Sequence, residues 1–292
     1  MHVFLTGASG YVGSATVKAL AEHGHEVSGL ARSDRSAARL RDLGATPVRG
    51  ELADTGVLRD AAAGADAAIH LGAVVGPDAA EVDLAAARAM QEGLGGRGTY
   101  VHTGGCWVYG DTDGVVDEDA PQRPPAITAW RADNERQVLA AADRGGRPVL
   151  VMPGLVYGHG KGLTRAFFVD PGRETGAVPQ IGDGSNHWSL VQVDDLARLY
   201  VLALGAAPGS VYFGVADQNP PFARIAEALS QAAGCPGSIE SLTLRQAERR
   251  MGPIAEAFAL DQQLTGARAR RELGWTPTAG DPLAELAEPA ED

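Results

Sequence analysis

The opening of the chain constrains its fold more than any other stretch. Val3, Phe4 and Leu5 form a short apolar run, Gly7, Gly10 and Gly13 follow at three-residue spacing, and a helical pattern runs from Tyr11 to Ala21. A strand, a glycine turn and a helix in that order make a cradle for the pyrophosphate of a dinucleotide. Gly7 permits the tight turn, Gly10 lets backbone approach phosphate, and Gly13 lets the helix pack close to the strand. The free N–H groups at the helix start then face the anion. The competing reading is an ordinary glycine-rich strand-to-helix turn. A second strand expected over residues 25–31 supplies the βαβ context that favours the cofactor reading.

Beyond this turn, strand-like runs recur at residues 3–6, 25–31, 46–49, 67–71, 99–103 and 148–152, with helical patterns over 11–23, 34–43, 55–63, 79–93 and 129–144 between them. Such alternation means a parallel sheet wound on both faces. Gly158 to Trp188 reads as loops with one short helix, Asp194–Ala206 as a helix, and Ser210–Gly214 as a strand. Pro221–Gly234 and Leu242–Gly252 read as helical, with loop-like chain after them. The fold class is therefore α/β, a doubly wound parallel Rossmann sheet with a smaller C-terminal substrate-binding cap. Residues 1–157 are expected to form the NADP-binding domain, with 190–216 returning to it, while 158–189 and 217–292 form the substrate-binding region.

The bulk properties exclude several function classes. A net charge of −12 argues against nucleic acid and anionic membranes as partners. No apolar run approaches the ~20 residues that span a membrane. A first strand at residue 3 leaves no room for a signal peptide, so a cytoplasmic location is expected. Cys106 and Cys235 cannot make a disulfide framework, and no Cys/His spacing suggests a metal site.

The choice of dinucleotide is read at the end of the second strand. An NAD site wants a carboxylate there, whereas a 2′-phosphate wants arginine and small hydroxyls. The sequence gives Ala31-Arg32-Ser33-Asp34-Arg35, so Arg32 and Arg35 flank Ser33 as a phosphate clamp. Asp34 is expected to cap the next helix. Alternatively, both arginines are simply solvated. NADP(H) is the cofactor this pattern favours, with Glu51 and Leu52 closing the third strand near the adenine.

The chain resembles the short-chain dehydrogenase/reductase superfamily, in its extended, NAD-epimerase-like branch. The resemblance rests on Thr6-Gly7-Ala8-Ser9-Gly10-Tyr11-Val12-Gly13, Ala68-Ile69-His70-Leu71-Gly72-Ala73, Val108-Tyr109-Gly110, Pro153-Gly154-Leu155-Val156-Tyr157-Gly158, Val193-Asp194-Asp195-Leu196-Ala197 and Leu273-Gly274-Trp275-Thr276-Pro277, in that order along nearly the whole length. It implies that Gly7, Ser9, Gly10, Tyr11, Val12, Leu71, Gly72, Ala73, Thr103, Gly104, Arg131, Pro153 and Val156 contact the cofactor. It also implies a homodimer through the helices at 79–93 and 129–144.

Members of this superfamily usually pair a Ser/Thr hydroxyl with a Tyr and a Lys four residues apart on one helix face. Those positions fall here on Gly105, Ile127 and Arg131, so the acid–base set is missing while the cofactor machinery is intact. Tyr157 and Lys161 have the right spacing, but Gly158 and Gly160 lie between them and the segment reads as a loop. Thr103, Tyr109 and His187 remain as candidates for supplying a proton, with the substrate itself as a further source. A guanidinium holds its proton at neutral pH and cannot be that acid. Family members acting on nucleotide sugars carry an arginine in the loop before the paired aspartates, and this chain has Trp188 there. A flat ring suits an aromatic ligand better than a diphosphate. Trp107, Tyr109, Tyr157, Phe167, His187 and Trp188 are thus expected to wall the substrate pocket. The resemblance extends to atypical ketoreductases of bacterial secondary metabolism, and the expected activity is NADPH-dependent reduction of an aromatic ketone. A nucleotide-sugar epimerase or dehydratase and a non-catalytic NADP sensor are the alternatives.

Overall fold

The computed structural model describes residues 1–289. In the first lobe, β1 (His2–Thr6), α1 (Tyr11–Glu22), β2 (Glu26–Ala31), α2 (Asp34–Asp42), β3 (Thr46–Arg49), α3 (Thr55–Ala63), β4 (Ala67–His70), α4 (Ala79–Leu94) and β5 (Thr99–Thr103) alternate as expected. After them come β6 (Val115–Val116), α5 (Ala129–Leu139) and β7 (Pro148–Pro153), then β8 (Leu155–Tyr157), α6 (Asp170–Thr175), β9 (Val178–Ile181) and β10 (Leu190–Gln192). The chain ends with α7 (Val193–Ala203), β11 (Val211–Gly214), α8 (Phe222–Ala232), β12 (Ile239–Leu242), α9 (Leu244–Met251), α10 (Ile254–Phe258), β13 (Gln263–Leu264), α11 (Ala267–Leu273) and α12 (Pro282–Leu286).

Seven strands form one parallel sheet in the order β11-β7-β5-β4-β1-β2-β3. Strands buried on both faces must be apolar at successive positions, and β1 is: Val3 and Leu5 enter the core shared with α1, α7 and α11, while Phe4 enters the opposite core with α3 and α4. The order reverses between β1 and β4, so a crevice opens beyond their carboxyl ends.

The second lobe has its own core, built on Phe168, Trp188, Phe222 and Phe258, whose ring centroids lie 4.4–5.5 Å apart. β9 pairs with β12, β8 with β10, and β13 with β6. These short pairs are absent from the sequence reading. The helix expected over 129–144 stops at Leu139, followed by a separate 3-10 turn at Ala142–Arg144. Ala269 and Trp275, within the 217–292 segment, pack into the first lobe's core. The α2 cap is also corrected. Ser33 caps it, accepting from the Ser36 N–H, while Asp34 sits in the first turn and pairs with Arg49.

Candidate functional site

Two cavities lie on either side of the Gly7–Val12 turn, at the carboxyl ends of the central strands. The first, about 460 Å³, is lined by Gly7, Ser9, Gly10, Arg32, Glu51, Leu52, Leu71, Gly72 and Ala73, together with Leu30, Ser36 and Val74. The second, about 380 Å³, is lined by Tyr11, Val12, Gly104, Gly105, Cys106, Trp107, Thr128, Arg131, Pro153, Leu155, Val156 and Leu163.

The turn between them is shaped for an anion. Gly7 takes φ +67°, and a Cβ there would lie 2.6 Å from the Leu71 carbonyl carbon. Gly10 caps α1 without any side-chain hydrogen bond, so the first-turn N–H groups have no capping side chain. A pyrophosphate satisfies them through hydrogen bonds and the positive helix end. α2, by contrast, closes its own end with Ser33. The residues present therefore fit a dinucleotide. The loop after β4 is held in place from below: the Gly72 N–H donates to Thr6 Oγ1 at 3.0 Å, and that hydroxyl lies 2.6 Å from His70 Nδ1. His70 Nε2 in turn faces Asp83 at 3.5 Å, and the Asn134 amide donates to the same carboxylate at 2.8 Å. Burial drives the neighbouring His102 down to about 3, so it is neutral in this network.

Several residues expected at the site sit elsewhere. Trp188 is 6% exposed and its indole N–H donates to the Phe258 carbonyl, which makes it part of the second lobe's core and not a pocket wall. Buried tryptophan finds a partner for its N–H in this way. His187 Nδ1 lies 2.9 Å from Asp261 Oδ1, outside both cavities. The Tyr109 ring is edge-on to Phe213 and its hydroxyl donates to the Glu118 carbonyl, so it is buried behind the pocket. Tyr157 is buried in the second lobe's core, beside a non-helical 158–162 segment, and Phe167 packs against Phe258. Thr103 Oγ1 pairs with the Tyr200 hydroxyl at 2.9 Å and lines neither cavity. Ser33 and Arg35 also stand outside the first groove, leaving Arg32 and Ser36 on its wall. Of the expected substrate residues, Trp107 alone lines the second cavity.

The polar groups that do line the second cavity are mostly engaged. The Tyr11 hydroxyl donates to the Gly158 carbonyl at 2.8 Å, and burial raises its pKa further. The Cys106 thiol donates to the Met152 carbonyl, and burial pushes it well above the ordinary thiol value, which removes it as a nucleophile. The Arg131 guanidinium stacks on Trp130 at 4.4 Å from the ring centroid. Thr128, missed from sequence, lines the cavity, and its hydroxyl donates to the Pro125 carbonyl at 3.4 Å.

Behind Gly104 and Gly105 lies a second residue that sequence reasoning did not single out. Glu135 is 2% exposed, and neither carboxylate oxygen has a hydrogen-bond partner among the described residues. Burial raises its carboxyl, with Asp83 adding to the effect, against the lowering pull of Arg131 and the nearby Gly105 N–H; the result is about 8. The signal was available: Glu135 falls three residues after Ala132 and three before Val138, on the buried stripe of α5.

Comparison with known proteins adds the following. The family described as the NAD dependent epimerase/dehydratase family matches residues 3–212. An uncharacterised protein of Schizosaccharomyces pombe is 31% identical over 99% of both chains. A 2-alkyl-3-oxoalkanoate reductase of Stenotrophomonas maltophilia is 29% identical, covering 88% of this chain and 82% of that protein. A 4-hydroxy-2-methyl-3-oxo-4-farnesyl-3,4-dihydroquinoline-1-oxide ketoreductase of Stigmatella aurantiaca is 27% identical, covering 94% and 92%. Among solved structures, a dTDP-glucose 4,6-dehydratase from Streptomyces venezuelae with NAD bound superposes with a TM-score of 0.80 at 24% identity, over 98% of this chain and 95% of that one.

Proposed function

The chain belongs to the NAD dependent epimerase/dehydratase family, and from that premise we propose that it is an NADPH-dependent ketoreductase acting on a hydrophobic, aromatic polyketide-type ketone. The observation that carries this reading is the second cavity. It opens beside the glycine turn, and Val12, Trp107, Pro153, Leu155, Val156 and Leu163 make its wall largely apolar. Such a wall favours a flat, greasy ligand over a sugar diphosphate, because nothing but Arg131 there offers a charge to phosphate. Two reductase relatives, one of them named for a farnesylated dihydroquinoline, support a hydrophobic carbonyl substrate.

When bound, the nicotinamide supplies the hydride; the protein supplies position and surroundings. The α1 N-terminus would hold the pyrophosphate, and Arg32, just past β2 on the wall of the first cavity, would take a 2′-phosphate. No carboxylate ends β2, and the nearest, Asp34, is paired with Arg49. Trp107 and Leu163 exclude water from the ketone.

NADPH oxidation followed across a panel of aromatic ketones tests the reading, with NADH and UDP-sugars as parallel arms. The expected result is turnover with NADPH, and an R32A enzyme whose KM for NADPH rises about tenfold or more while that for NADH is unchanged. NADPH binding without consumption of any ketone would make the chain a sensor. Tight UDP-sugar binding with NAD turnover would make it an epimerase or dehydratase.

A further inference from the structure

Resting on the ketoreductase reading, we infer that Gly105 sets the size limit of the substrate: its missing side chain leaves a slot where the broad face of a fused-ring ketone lies against bare backbone. Four glycines line the second cavity, Gly104, Gly105, Gly154 and Gly162. Glycine loses more conformational freedom on folding than any other residue, so a glycine that the fold does not need costs stability.

Three of the four are demanded by the fold. A Cβ on Gly104 would lie 2.5 Å from Glu135 Oε1 and closer still to Met152 Sδ, and both side chains are buried with no space to retreat. A Cβ on Gly154 would fall on the Ser189 carbonyl oxygen, which is backbone. Gly162 takes φ +86°, a left-handed conformation that a side chain would strain.

Gly105 differs on every count. Its φ of −170° and ψ of 136° are extended backbone that any residue adopts, and a Cβ there would meet nothing within 4 Å. Neither packing nor backbone geometry asks for a glycine at this position. What remains is the cavity it lines, and close approach of a ligand to backbone is a use that only glycine serves.

The neighbouring residues widen the same opening. Gly104 adds no side chain, and the Cys106 thiol turns inward to the Met152 carbonyl. The three residues after β5 therefore offer the cavity little but backbone. Trp107 then closes the stretch, its ring held edge-on to Phe258 at 5.8 Å. A planar ring system can reach van der Waals contact with bare backbone, whereas a β-carbon and its substituents would take the place of the ring. Val12, Leu155 and Leu163 make the surroundings apolar, which suits fused aromatic rings.

The test takes wild type, G105A and G105V, with G104A for comparison, through a series of one-, two- and three-ring aromatic ketones. Equilibrium binding to the NADPH-loaded protein, followed by tryptophan fluorescence, is read beside kcat/KM. G105A should melt at or slightly above the wild-type Tm, because alanine at a compatible φ/ψ removes freedom from the unfolded chain. G104A should melt lower through overpacking. NADPH affinity should be unchanged in both position-105 variants. The three-ring ketone should lose about tenfold or more in affinity and kcat/KM in G105V, with a smaller loss in G105A, while the one-ring ketone loses least. Equal losses across the series, or none, overturn the inference. So does a Tm loss in G105A that matches G104A, which would make the glycine structural, or a fall in NADPH affinity, which would give the room to the dinucleotide. A wild type that binds the ketones, with the larger ones excluded from G105V, but reduces none of them overturns the ketoreductase reading and leaves the slot standing. A wild type that binds none of them overturns both.

Discussion

The three glycines of the first turn are required for different reasons, and the differences are measurable. A Cβ on Gly13 would fall on the Gly7 carbonyl oxygen, which is backbone and cannot swing aside. G13A must push α1 off the β1 turn, an overpacking that costs roughly 1–3 kcal/mol. A Cβ on Gly10 meets only that same oxygen, at 3.1 Å, a tight contact that asks for a shift of a few tenths of an ångström and not for displacement of the helix. What Gly10 leaves open is the approach of phosphate to the helix start. G10A should therefore keep Tm close to wild type while losing dinucleotide affinity, whereas G13A should lose both. Thermal melts paired with NADPH titration by fluorescence separate the two. Equal Tm losses for both variants would mean that Gly10 serves packing alone.

At the scale of elements, legibility followed the range of the contacts. β1 to β5 and their helices announced themselves because each carries its own apolar face and glycine stop, as at Gly24 and Gly44. β8, β9, β10, β12 and β13 did not, because strands of two to four residues exist only through a partner elsewhere: β9 needs β12 some 60 residues later. The site divided in the same way. The glycine turn and the 71–73 loop could be read because their geometry is local. Trp188, Tyr109 and Tyr157 could not, since an aromatic residue near a loop suits a core as well as a pocket, and here partners such as Phe258 and Phe213 decided. Asp195 is a long-range device of this kind. Fully buried, it accepts from the Thr278 and Ala279 N–H groups at 2.8 and 3.0 Å and pairs with Arg198, while its carbonyl takes the Trp275 indole N–H at 2.8 Å. It fastens the 273–279 segment onto α7. D195A leaves the partly exposed Thr278 and Ala279 N–H groups and Arg198 without their buried acceptor and should cost roughly 1–3 kcal/mol. Urea unfolding should show this as a lower midpoint, and a loss under 1 kcal/mol would mean that packing of Trp275 alone holds the segment.

On the scale of the whole molecule, the two lobes are joined at the site they share. The chain passes from β7 to β8, returns through β10 and α7 to β11, and crosses again to pair β13 with β6. The second cavity takes Gly104 to Trp107 from beyond the carboxyl end of β5 and Gly162 and Leu163 from the segment leading into the second lobe. The Tyr11 hydroxyl on α1 holds that segment by the Gly158 carbonyl. With so many crossings, neither lobe can unfold while the other keeps its core, so calorimetry should give one transition. A ligand that binds only the native state adds RT ln(1 + [L]/Kd), about 2.7 kcal/mol at 100 times Kd. For a chain of this size that is a rise of roughly 4–5 °C. NADPH at that excess should move the single transition as one, and on the proposed reading NADH at the same concentration should move it less, because it lacks a 2′-phosphate for Arg32 on the wall of the first cavity. Two resolved transitions, with the dinucleotide shifting one of them, would show that the shared cavity does not couple the lobes.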